Sequence, residues 1–183
     1  MDADGAAVGG REERQGGVSD IWTTTAVATG GAAEGGPASG AVGLRANVME
    51  MTQTAEDAVL APADPGAWPH DLRAALAVRI ARLNAAPDVA DRYAARMQGN
   101  DYAALTNPAE TGEALGLSHV AIFMDKVAAK PRDIAAEDIS VLQTAGVADA
   151  DIVRLCELNA FLAYQLRLIA GLKLMTGTSG GAT

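Results

Sequence analysis

The segment that most constrains this chain is "DADIVRLCELNAFLAYQLRLIAGLKLM", residues 149–175, which runs without a proline. Its apolar residues recur at intervals of three and four, and they do so on two faces. Ile152, Leu155, Leu162, Leu166 and Ile169 form one stripe together with Asn159; Leu158, Phe161, Leu168, Leu172 and Met175 form another. A helix apolar on two sides is either central in its domain or shared with another subunit. Other helices must then cover both faces. Asp149 is placed to cap this helix, and the residues beyond it, 177–183, read as a flexible tail.

The upstream pattern supplies those other helices. Leu72, Leu76, Ile80 and Leu83 lie four, four and three residues apart, one face of a helix that Pro69 can open. Pro87 is suited to open a second helix, in which Val89, Tyr93 and Met97 share a face. A third is expected over Glu113–Ala129, with Val120, Phe123, Met124 and Val127 inward. "KPRD" ends it, because the residue before Pro131 is pushed out of the helical region. A shorter helix in "AAEDISVLQTAGV" stops at Gly146, a left-handed C-cap. No strand pattern competes, so the expected fold is an all-α helical bundle over residues 53–176.

Residues 1–52 differ. They hold eleven of the twenty Gly and few large apolar residues to offset the cost of ordering them. This stretch reads as a low-complexity, Gly/Ala-rich flexible extension, in which only the β-prone "DIWTTTAVAT" is suited to docking. Met49 and Met51 mark the change of composition.

A net charge of −9 argues against nucleic acid or an anionic membrane surface as partner, since both call for a basic patch. No apolar run is long enough to span a bilayer, and no secretory signal is evident. One cysteine, Cys156, excludes an intrachain disulfide or CxxC chemistry. With only His70 and His119, a zinc site from this chain alone is not expected, and no cofactor is implied. The expected compartment is the reducing cytoplasm.

"LRAALAVRIARLNAAPDVADRYAARM" resembles the signature helix pair of the carboxymuconolactone decarboxylase and alkylhydroperoxidase D-like superfamily, approximately E-L-x-x-L-x-V-x-x-x-N-G-C-x-x-C-x-x-x-H. "ISVLQTAGVADADIVRLCELNAFLAYQLRLIAGLKLM" is similar to the last helices of its peroxidase-related branch, and "DAVLAPADPGAW" to the lead-in of one subgroup. The resemblance spans about residues 55 to 175. It implies the helical bundle of that superfamily and an oligomer, either of this chain or with a related CxxC-bearing chain. Matching Asn84 and Ala85 to the Asn-Gly of the pattern puts Ala86 and Val89 at the two cysteines, Tyr93 at the histidine and Ala74 at the glutamate. In intact members the cysteine pair cycles between dithiol and disulfide, while Glu and His relay the proton that yields thiolate. Ala and Val supply neither nucleophile nor proton. The resemblance therefore implies a non-catalytic or ligand-binding subunit related to antioxidant peroxidases, with a small molecule as possible ligand.

Several residues offer alternatives. Asp88, with Asp91, Arg92 and Tyr93, could line the mouth of the emptied site and serve a cofactor-free lyase or isomerase. The plainer reading pairs Asp88 with Arg92 at i, i+4 and turns Tyr93 into the core. His119 could reach the same cavity, although a single His on an ordinary helix is more often structural. Cys156 could act as a one-cysteine peroxidase, but mid-helix it reads as a small buried hydrophobe. Asn159 and Gln165 suit an interface or a site equally. Trp68 suits a packing anchor, and His70 a helix start.

Overall fold

The computed structural model describes residues 20–177. Among them the regular structure is helical, with no strand: α1 (Thr25–Thr29), α2 (Ser39–Leu44), α3 (Ala46–Leu60), α4 (His70–Leu83), α5 (Pro87–Ala94), α6 (Ser118–Ala129), α7 (Ala136–Thr144) and α8 (Asp149–Thr176), joined by loops and short 3-10 turns. The expected all-α class is found. No helix among the described residues is long and apolar enough to cross a membrane.

The two apolar stripes of α8 are covered as their spacing demands. Ile152, Leu155, Leu158, Phe161, Leu162 and Ile169 are buried, and the helix packs against α1, α3, α4, α6 and α7. Met175 departs from its stripe and is exposed, because the last turn runs past the core. Asp149 does not cap: its carboxylate accepts from Gln143 Nε2 at 2.8 Å, and no side chain caps the helix start.

α4 is buried from Leu72 to Ala81, and its alanines let neighbouring helices approach closely. Two arginines lie in that buried run, Arg73 at 3 % and Arg79 at 2 % exposure. A buried guanidinium is tolerated only when its donors are used, and here they hold loops. Arg73 donates to the carbonyls of Trp68, Val59 and Pro65. Arg79 pairs with Asp125 at 2.6 Å and donates to the carbonyls of Leu105, Asn107, Glu110 and Pro108. The 103–116 connection is thus tied to α4 through its backbone. Its glycines shorten the helix expected from Glu113: Gly116 has φ 68, which a right-handed helix cannot continue through, and α6 restarts at Ser118.

The expectation for the first 52 residues is corrected over its described part. Residues 20–52 carry a 3-10 turn, α1, α2 and the start of α3, "DIWTTTAVAT" forms that turn and α1 rather than a strand, and the boundary expected near residue 52 falls inside α3. This segment does not need a core of its own. Val27, Val42 and Met49 bury themselves with Leu172 of α8. Glycine is here a packing device: a Cβ on Gly30 would stand 2.5 Å from the Cβ of Leu172. The flexible ends expected at 1–19 and 178–183 lie outside the described residues.

Candidate functional site

α4 and α5 form a tight hairpin. Asn84 Nδ2 donates to Ile80 O at 2.9 Å, and the Ala86 amide donates to Ala81 O at 3.0 Å. Between them Ala85 sits at φ 52, the left-handed region, a cost for any residue with a Cβ. Pro87 then opens α5, where its missing N–H is no loss.

This hairpin, α8 and the end of α6 line a half-open cavity of about 370 Å³. Ala86 and Val89 both line it. So do the buried Ile80, Asn159 and Ile169, which make an inner wall, and the exposed Arg167, which belongs to the rim. The volume suits a small organic molecule. Both ionisable groups on its lining, Arg167 and Lys173, are cations. Lys173 Nζ lies 2.5 Å from Asp88 Oδ2, while the buried Asp88 Oδ1 has no hydrogen-bond partner. Arg167 folds back along its own helix to donate to Ala163 O at 2.7 Å and pairs with no carboxylate among the described residues.

One helical turn beyond Val89, Tyr93 enters a buried polar chain. Its hydroxyl donates to Gln165 Oε1. Gln165 Nε2 donates to Glu56 Oε2 at 2.5 Å, and Thr25 Oγ1 to Glu56 Oε1 at 2.9 Å. Arg96 Nη1 completes the set, 2.5 Å from Glu56 Oε1, with Nη2 on Asp57 at 2.7 Å. Glu56 is 1 % exposed, so its charge is held by these partners and not by water. Burial, and then the Glu56 charge, push the Tyr93 phenol far above its ordinary pKa. At neutral pH Tyr93 keeps its proton, and its oxygen lies outside the cavity lining.

The residues singled out from sequence therefore separate. Asp88 pairs with Lys173 of α8, not with Arg92; Arg92 and Asp91 are exposed and unpaired among the described residues. Tyr93 is a core residue, as the plainer reading held. His119, half-buried in the first turn of α6, does not line the cavity. Ala74 is buried in α4 away from that lining. Cys156 is corrected: it is exposed, not a buried hydrophobe, because it falls between the two covered stripes of α8. Crowding around the sulfur, and then the Glu157 carboxylate, push its thiol pKa up, the wrong direction for a nucleophile at neutral pH. Asn159 bridges within the chain, donating to Met124 O at 2.9 Å, and Gln165 belongs to the buried chain. Trp68 is buried with Nε1 on Asp151 O at 2.8 Å, and His70 begins α4.

Sequence reasoning missed Glu56, Thr25 and Arg96, and the two buried arginines of α4. A signal for Glu56 did exist: Met49, Thr52, Glu56 and Leu60 are spaced three, four and four apart, and all four are buried. Among the described residues no group of three or more His, Cys, Asp or Glu is placed to hold a metal ion. No protein-family model matches the chain, no curated protein is significantly similar to it, and no solved structure matches it significantly.

Proposed function

We propose that this chain is a degenerate relative of the carboxymuconolactone decarboxylase and alkylhydroperoxidase D-like superfamily that binds a small molecule where its relatives keep a cysteine pair. The observation that carries the reading is the cavity against Ala86 and Val89, the two positions matched to those cysteines. A second feature supports the alignment: Ala85, matched to the glycine of the pattern, adopts the left-handed φ that glycine tolerates best. Thiol peroxidase chemistry is disfavoured by the raised thiol of Cys156, which is also absent from the cavity lining. Acid–base catalysis at Tyr93 is disfavoured by the commitment of its hydroxyl to Gln165, and at Asp88 by the pairing of Oδ2 with Lys173; neither residue is on the cavity lining. Assembly into an oligomer, or with a chain that retains its cysteines, belongs to the same proposal.

A methyl NMR screen of small carboxylates and alcohols tests the binding reading. Hits are expected to shift Val89 and Ile169 methyls in the wild type and to leave them unmoved in Ala163→Leu, which fills the cavity. Hits that ignore that substitution would place binding elsewhere and sink the reading. The alignment has its own test, Ala86→Cys/Val89→Cys in a Cys156→Ala background. The two positions bracket the helix start at i, i+3, so mild oxidation should close an intrachain disulfide. Two thiols that stay free in oxidised glutathione would contradict the match.

A further inference from the structure

The inner wall of this cavity carries a polar atom that no described residue engages. Asn159 is 1 % exposed and lines the cavity, yet only its amide nitrogen is engaged, by the Met124 carbonyl at 2.9 Å and more weakly by the Met124 sulfur at 3.7 Å. That contact fixes the orientation of the amide, since turning it over would set Oδ1 against a carbonyl oxygen. Oδ1 accepts no hydrogen bond from the described residues. Oδ1 faces the open cavity within reach of water, so a ligand that fills the cavity must bring a donor in place of that water or lose affinity.

The opposite need stands at the rim. Arg167 is a cation without a carboxylate among the described residues, and Lys173 shares its charge with Asp88. Arg167 does not point away from Asn159. Its guanidinium reaches back to the carbonyl of Ala163, four residues along α8 from Asn159. Asn159 and Arg167 stand eight residues apart, about 12 Å of rise, and two hydrogen bonds of about 3 Å each leave at most about 6 Å for the frame of a ligand. The wall between these polar ends is apolar: Ile80, Val89, Leu166 and Ile169.

We infer that the cavity takes a small hydroxy-carboxylate, its hydroxyl donating to Asn159 Oδ1, its carboxylate on Arg167, and a compact apolar frame between them. This rests on reading the cavity as a ligand site. Asp88 faces Lys173 and opposes an anion there, so Arg167 is the principal anchor and Lys173 a secondary one. The hydroxyl separates this class from simple fatty acids, whose alkyl ends would leave Asn159 without a donor.

The probe is trans-4-hydroxycyclohexanecarboxylate, with cyclohexanecarboxylate and cyclohexanol for comparison, titrated into the full chain and followed by the Val89 and Ile169 methyls. Each deletion, of hydroxyl or of carboxylate, should weaken binding about tenfold. Arg167→Met, at an exposed position that leaves the core intact, should weaken both carboxylates about tenfold and leave cyclohexanol unchanged. Cyclohexanol binding as tightly as the hydroxy acid would overturn the inference and leave the cavity a ligand site of another class. Equal binding of the two carboxylates would remove the role of Asn159. If none of the three shifts these methyls, the inference falls, and the broader screen then decides whether the cavity binds anything.

Discussion

Arg96→Met removes the cation that pairs with the buried Glu56 of α3 and with the more exposed Asp57. The Glu56 side chain is 1 % exposed, while that of Arg96 is 34 % exposed. Removing the arginine leaves a buried carboxylate that keeps its hydrogen bonds from Thr25 and Gln165 but loses its counter-charge. Breaking a buried pair by removing one partner costs about 3–5 kcal/mol. The partial exposure of Arg96 places this case at the low end, about 3 kcal/mol. For a domain of this size that loss lowers Tm by about 6–12 °C. Urea unfolding followed by helical circular dichroism measures it directly. The double variant Arg96→Met/Glu56→Gln should recover at least half of the loss. With the charge gone, the Gln165 amide can turn over and donate to the Tyr93 oxygen, which accepts as well as donates. A loss under about 1 kcal/mol for Arg96→Met, the value of an exposed surface pair, would refute the reasoning.

Three further outcomes follow from particular contacts. Deleting residues 1–48 should lower stability by more than about 3 kcal/mol, because Leu172 loses Val27 and Val42 and Glu56 loses Thr25; a urea midpoint that does not move would restore the reading of this stretch as a passive extension. Ala85→Gly should stabilise the chain by about 0.5–1 kcal/mol, since relief of the left-handed cost exceeds the added freedom of the unfolded chain; destabilisation in the same assay would mean that the hairpin is not under this strain. Cys156 should label without denaturation, because it is exposed, but its rate should rise only at a pH above that of an ordinary thiol. Glu157→Gln removes a charge that disfavours thiolate and should shift the labelling profile to lower pH; a profile that does not move would exclude that charge as a cause.

The helical core was legible because its signal is periodic. The two stripes of α8 and the Pro-opened α5 need only spacing and the chemistry of proline to be read. The early stretch was not legible for a physical reason. Its apolar residues are too few to form a core alone, and it folds by borrowing Leu172 from a helix more than a hundred residues away. A glycine count measures the entropy cost of such a segment but not the close approach that glycine permits at Gly30. Glu56 was hidden similarly: a carboxylate on a buried face reads as a break in a stripe until Arg96 and Gln165 are brought to it. Of the candidate site, the hairpin and the replaced positions Ala86 and Val89 were visible. The pairing of Asp88 with Lys173 depends on the tertiary approach that brings the end of α8 within side-chain reach of α5, which no local pattern encodes.

Consumption of an organic hydroperoxide by the purified chain under a dithiol reductant, beside Cys156→Ala, tests the central claim most directly. A cavity that binds but does not turn over predicts no consumption above the protein-free rate by either protein. Turnover by the wild type that vanishes in Cys156→Ala would make the chain a one-cysteine peroxidase and contradict the account.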